Sequence, residues 1–195
     1  LAWELAVLGV GMLKSLVEKA KGKKKEVRMC VIGLDNAGKT TILKALSNQE
    51  TQTVMPTQGF KPVALSEQPL FNVWDLGGQK EIRSHWRDFY DKIDCIIFVI
   101  DSSDSIRMKE CEEELRCLLE EEKVAGVPVL IYANKQDLNG SLSAEEIRNT
   151  STWNKLAIER GRSLPALQKN QKVIFNTSHA LGLKEGIAWL TDILK

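Results

Sequence analysis

The segment Gly33-Leu34-Asp35-Asn36-Ala37-Gly38-Lys39-Thr40 constrains this chain more than any other, because it fits G-x-x-x-x-G-K-[ST] and follows an apolar, strand-like run, Arg28 to Ile32. Thr41 to Leu46 continues it as an amphipathic helix, so strand, glycine-rich loop and helix follow in the order that builds a phosphate cradle. Glycines let backbone N–H groups curl around a phosphate without Cβ clashes, and the helix starting near Gly38 turns its positive end to the same place. Gly33, Asp35, Asn36, Ala37, Gly38 and Thr41 are therefore expected cradle residues, with Lys39 giving a point charge to β and γ oxygens and Thr40 a hydroxyl to Mg²⁺. The loop predicts a nucleoside triphosphate with magnesium.

The wider pattern predicts an α/β fold. Short apolar runs near residues 27–32, 70–75, 94–100, 127–133 and 172–176 alternate with helical segments after the second strand pair. A strand between the two stretches discussed next completes a mainly parallel six-stranded sheet with helices on both faces and ligand loops at the strand carboxyl ends. Pro62 removes one ladder donor and suits that strand only at an edge or a beginning.

Asn134-Lys135-Gln136-Asp137 follows the buried-strand run Val127 to Ala133 and favours guanine. A carboxylate at Asp137 accepts from both N1–H and the 2-amino group of guanine, whereas adenine presents an acceptor at N1 and would leave the acid unpaired. Asn134 is expected to brace the loops, and the stem of Lys135 to lie along the purine. Between the two sites stand Pro56-Thr57-Gln58-Gly59-Phe60 and Trp74-Asp75-Leu76-Gly77-Gly78-Gln79. Thr57 is the expected second Mg²⁺ hydroxyl and Asp75 the acid behind the ion's waters. Gly78 N–H is expected on the γ-phosphate and Gln79 on the attacking water.

With these residues in view, Glu26 to Lys195 resembles the ADP-ribosylation factor family of small GTPases, and more closely its Arf-like branch. Asp35, where many Ras relatives carry glycine, and Trp74 before the switch aspartate are marks of that group. Pro56 to Phe60 and Leu118 to Lys123 look like the Arf-like proteins that release lipidated cargo from solubilising carriers. The resemblance implies a GTP/GDP switch that hydrolyses GTP slowly. It also implies an exchange factor, an activating protein that supplies an arginine, and effectors that read Phe60, Trp74 and Phe89. Near the last strand it places backbone beside the guanine O6, here at Ser178 and His179, with His179 standing where the family has alanine. The stretch Ser151 to Gln171 looks longer than the family's usual link between helix and final strand.

Residues 1–25 read as a separate basic, amphipathic arm ahead of a GTP-binding domain at 26–195. Six lysines against Glu4 and Glu18 leave the rest net negative by three, given a total of +1. Apolar residues at helical spacing from Met12 to Ala20 suit a weak, transient membrane contact, docking on the body or a solvated tail, and the segment is too short and interrupted to span a bilayer. Residues 1–11, with no initiator methionine, read as possible non-native sequence, and no M-G-x-x-x-[ST] acylation motif is present. Cys30, Cys95, Cys111 and Cys117 lack C-x-x-C spacing and read as reduced packing residues. A monomer without nucleic-acid contact is expected, cytoplasmic, with peripheral-membrane or cytoskeletal association open. Two rivals are a nucleotide-stabilised binding module, against which Gln79 argues, and an ATP-dependent kinase, against which Asp137 argues.

Overall fold

The computed structural model describes residues 26–51, 54–65, 70–143, 145–147, 171–175 and 180–194. The expected arm at 1–25, Ser178 and His179, and the stretch from Ser151 up to residue 170 lie outside them. The strands are β1 (Glu26–Ile32), β2 (Phe60–Leu65), β3 (Leu70–Leu76), β4 (Cys95–Asp101), β5 (Val129–Asn134) and β6 (Gln171–Phe175). The helices are α1 (Lys39–Leu46), the single-turn α2 (Lys80–Arg83), α3 (Met108–Glu120) and α4 (Ala180–Ile193), with 3-10 turns at Trp86–Phe89 and Glu122–Val124.

One six-stranded sheet runs in the order β2-β3-β1-β4-β5-β6. Every neighbouring pair is parallel except β2 with β3, which form an antiparallel hairpin. Pro62 stands inside β2 opposite Trp74, and β2 is the sheet edge, where a missing N–H faces no further strand.

Alternation along the central strands places apolar side chains on both faces. Val27, Met29 and Val31 of β1 join Ile97 and Val99 of β4 in one core, covered by Ile42 and Leu43 of α1 and by Leu183, Ile187 and Leu190 of α4. Cys30 and Ile32 join Ile96, Phe98 and Ile100 in the other, covered by Met108, Cys111, Leu115 and Leu118 of α3. Those four positions repeat at helical spacing, which gives α3 one apolar stripe and a charged outer face. Tyr132 ties α4 to β5 by donating its hydroxyl to the Leu183 carbonyl at 2.9 Å. Burial pushes the Cys30 and Cys111 thiols up to about 12 and the Cys95 thiol up as well, so these remain inert packing groups.

The acid-rich outer face of α3 is more structured than a solvated surface. Glu113 and Glu120 pair with Arg116, whereas Glu110 and Glu114 reach the buried Arg83 at the end of α2. The fold thus brings the loops after β3, β1 and β5 to one edge, with β1 and β4 between β3 and β5 in the sheet.

Candidate functional site

The loop after β1 turns sharply because three of its residues have positive φ, Gly33 at 141°, Asn36 at 61° and Gly38 at 94°. A Cβ at Gly38 would meet the side chain of Asn134 at 2.2 Å, so glycine there admits the loop from β5. Asn134 uses that approach to donate its Nδ2 to the Ala37 carbonyl at 2.7 Å, which couples the phosphate loop to the segment carrying Asp137. Lys39 begins α1, is buried, and donates Nζ to the Gly33 and Leu34 carbonyls at 2.9 and 2.7 Å. Burial lowers its pKa to about 8, against the opposing pull of Asp75 and Asp35.

Three groups from separate elements converge beside it. Thr40 of α1 and Thr57 of the loop before β2 place their hydroxyl oxygens 2.9 Å apart, and both reach Asp75 Oδ2, at 2.7 and 3.1 Å. The hairpin register explains the meeting: Phe60 pairs with Leu76, Gly77 N–H extends the ladder to the Gly59 carbonyl at 2.8 Å, and Thr57 falls beside the end of β3. Burial raises the Asp75 pKa, while the two threonine hydroxyls and Lys39 act the other way. Its Oδ1 is buried with no partner among the described residues.

This donor set fits a hard divalent cation of the magnesium type. Two hydroxyls side by side before a buried carboxylate with an unused oxygen supply oxygen ligands only, as such an ion prefers. Among the described residues no group of three or more His, Cys, Asp or Glu forms an alternative metal cluster.

Gly78 packs directly on the phosphate loop. A Cβ there would stand 2.3 Å from Asp35 N and from the Leu34 carbonyl carbon, so only glycine lets the two backbones meet. Asp35 N–H donates to the Gly78 carbonyl at 3.1 Å across that contact. Asp35, Asn36, Gly38, Lys39, Thr40, Thr41, Thr57, Gly78 and Gln79 line one cavity of about 310 Å³, together with Val54, Met55, Pro56 and Gly77. Exposed Gln79 occupies the position before α2 at the rim, with no side-chain bond to the helix end.

At the other loop, Lys135 is left-handed, φ 62°, and its Nζ pairs with Asp101 Oδ2 at 2.7 Å. Ser141 donates its hydroxyl to the Lys135 carbonyl at 2.7 Å, and Asp137 stands exposed. Ser178 and His179 lie outside the described residues.

Four participants escaped the sequence reading. Arg83 is buried, with Nε on the Gly78 carbonyl at 2.7 Å and NH1 on Glu110 and Glu114 at 2.7 and 3.1 Å. Burial opposes its charge, but the two glutamates outweigh that and hold its pKa up. Arg107 bonds Asp35 Oδ1 at 2.9 Å and Asp104 Oδ2 at 2.7 Å. Asp101 anchors Lys135, and Trp86 donates its indole Nε1 to the Gly77 carbonyl at 2.9 Å. The one sequence signal was Arg83 itself, a charge between Ile82 and Trp86 on a stretch whose other inward positions are apolar.

Comparison with known proteins agrees with this architecture. Residues 13–194 match the model of the family described as the ADP-ribosylation factor family. ADP-ribosylation factor-like protein 3 of Chlamydomonas reinhardtii is 47% identical over 184 residues, covering 94% of this chain and 99% of that protein. ADP-ribosylation factor-like protein 2 of Dictyostelium discoideum is 44% identical over 181 residues, with 91% and 92% covered. Among solved structures, the Arl6 BBS3 small GTPase of Trypanosoma brucei with bound nucleotide analogue GppNp superposes with a TM-score of 0.69 at 30% identity, covering 87% of this chain and 98% of that one.

Proposed function

This chain belongs to the ADP-ribosylation factor family, in its Arf-like branch, and from that premise we propose how its residues run the switch and what the switch serves. Membership makes it a small GTPase that binds GTP or GDP with Mg²⁺, hydrolyses GTP, and works with exchange factors, activating proteins and effectors.

In the proposed assignment, the loop from Gly33 to Thr41 cradles the β- and γ-phosphates and Lys39 neutralises their oxygens. Thr40 and Thr57 supply metal-ligating hydroxyls, with Asp75 reaching the ion through water. Held there by the Thr40 and Thr57 hydroxyls, Mg²⁺ would supply Lewis-acid chemistry, withdrawing charge from the phosphate oxygens. Gly78 N–H contacts the γ-phosphate, and the Gln79 side chain holds water in line for attack. Asn134, Lys135 and Asp137 take the base, Lys135 being steadied by Asp101; for Ser178 and His179 the family resemblance is what supports a role at the guanine O6. The observation that carries this assignment is the meeting of Thr40, Thr57 and Asp75 from three elements, within 3.1 Å of one another through hydrogen bonds.

The output surface is proposed at Phe60, Trp74 and Phe89. Their rings form one cluster with centroids 5.0 to 5.8 Å apart, and Phe60 is 57% exposed. Beside it lies an apolar groove of about 380 Å³ lined by Phe60, Leu76, Ile82, Trp86 and Phe89 among others. Aromatic side chains partly open to solvent suit an interface anchor. Because Phe60 follows Thr57 on the same segment, a change at the γ-phosphate would reach this surface directly.

The service proposed for the switch is trafficking of lipidated proteins, supported by the likeness of residues 56–60 and 118–123 to cargo-releasing Arf-like proteins. The GppNp-loaded chain is expected to speed release of a fluorescent farnesylated peptide from a solubilising carrier at least about tenfold over the GDP form, about 1.4 kcal/mol off the barrier to dissociation. Equal release rates would remove the cargo role while leaving the GTPase intact.

Residues 1–25 are proposed as a basic, amphipathic arm of a cytoplasmic, monomeric protein, making weak contact with anionic membranes in the GTP form. Amide hydrogen exchange over residues 12–20 is expected to be faster with GppNp than with GDP. Identical protection in the two states would reduce the arm to a solvated tail.

A further inference from the structure

The backbone of Gly77 and Gly78 is fully accounted for except at one atom. Gly77 N–H donates to the Gly59 carbonyl at 2.8 Å, and the Gly77 carbonyl accepts from the Trp86 indole at 2.9 Å. The Gly78 carbonyl accepts from Arg83 Nε at 2.7 Å and from Asp35 N–H at 3.1 Å. Only the Gly78 N–H has no partner among the described residues, although Gly78 is buried and lines the cavity with Lys39 and Thr40. A donor left open on the lining of this cavity is placed to meet a ligand there.

We infer that Trp86 is the positioning residue for that donor, holding the Gly77 carbonyl so that the Gly78 N–H is aimed for the γ-phosphate. The inference rests on the proposed role of Gly78. Its mechanics follow from the planar peptide: the Gly77 carbonyl and the Gly78 N–H belong to one unit and point in opposite directions. Fixing the carbonyl on the indole therefore directs the N–H away from Trp86. Glycines on both sides leave this peptide free to rotate, so its orientation has to be imposed from outside. Trp86 is suited to impose it, since its ring is 4% exposed within the core beneath α3 and its only polar atom is the one that donates. Arg83 treats the next peptide in the same way, and its guanidinium is itself held by Glu110 and Glu114. The turn from Gln79 to Phe89 thus folds back to orient the two peptides that precede it.

The test uses the full chain, ¹⁵N-labelled, loaded with GDP or with GppNp in Mg²⁺. In the wild type the Gly78 amide resonance should move strongly on replacing GDP by GppNp. In Trp86→Phe, which keeps an aromatic ring and removes the N–H, that movement should largely vanish. Affinity for GppNp relative to GDP should fall about tenfold, the worth of one well-aimed hydrogen bond, while GDP affinity holds. Site-specific β-(3-benzothienyl)alanine at position 86, with sulfur in place of the N–H, repeats the measurement with the ring shape kept and stands in if Trp86→Phe does not fold. An unchanged Gly78 shift in both substituted proteins would overturn the inference but leave Gly78 on the γ-phosphate. Equal weakening of GDP and GppNp would also overturn it, making Trp86 a packing residue. A wild-type Gly78 amide indifferent to the γ-phosphate would overturn the Gly78 assignment itself.

Discussion

Asp137→Asn is expected to reduce GTP affinity by about a hundredfold or more and to raise affinity for xanthosine triphosphate, so that competition between the two nucleotides reverses. Guanine presents two donors, N1–H and the 2-amino group, to a carboxylate at this position. Asparagine offers only one acceptor and sets a donor against one of them, and each hydrogen bond to a charged group contributes roughly 1.5–3 kcal/mol. Xanthine carries an oxygen where guanine has its amino group, and the asparagine N–H suits it. The rest of the loop should be undisturbed, because its shape is set by the Lys135 pairing with Asp101 and the Ser141 bond to the Lys135 carbonyl. Unchanged discrimination in competition binding would remove Asp137 from the base pocket.

Gln79→Leu is expected to leave GTP affinity within a few-fold and to lower activated hydrolysis by about a hundredfold or more, the low end of what a positioned proton-handling or water-orienting group contributes. Gln79 is exposed at the rim of the cavity and makes no side-chain cap to α2, so leucine disturbs neither fold nor phosphate contacts. What it removes is the amide that would hold water in line. The check is a single-turnover assay with a matched activating protein. Equal rates for the two proteins would take Gln79 out of the reaction. Arg83 is not placed to reach the water or the γ-phosphate itself: its guanidinium is buried on Gly78, Glu110 and Glu114.

The local parts of the site were legible because each is a short word with its own physics. Gly33 to Thr41 announced a strand-loop-helix, and the sheet followed from apolar runs whose observed limits differ by a residue or two from those expected. Pro62 was readable as an edge residue because proline has no ladder donor to give. The supporting contacts were illegible for the opposite reason: they join residues far apart in sequence. Arg107 reaches Asp35 across 72 positions, and Asn134 reaches Ala37 across 97. Asn134 had a motif to carry it, whereas Arg107 is one of many arginines on charged surface. Likewise Glu114 stands in a run of three glutamates, and only the folded helix α3 brings it to Arg83. No motif in the sequence singles out Trp86. Only the folded backbone shows that its N–H ends on Gly77.

The most direct test of the whole account is to identify the nucleotide released from the purified protein and then follow phosphate release from it in a single turnover. A guanine nucleotide, with GTP converted slowly to GDP and phosphate in the presence of Mg²⁺ and faster when an activating protein is added, is the predicted result. An adenine nucleotide, or GTP that stays intact with activating protein and Mg²⁺ present, would contradict it.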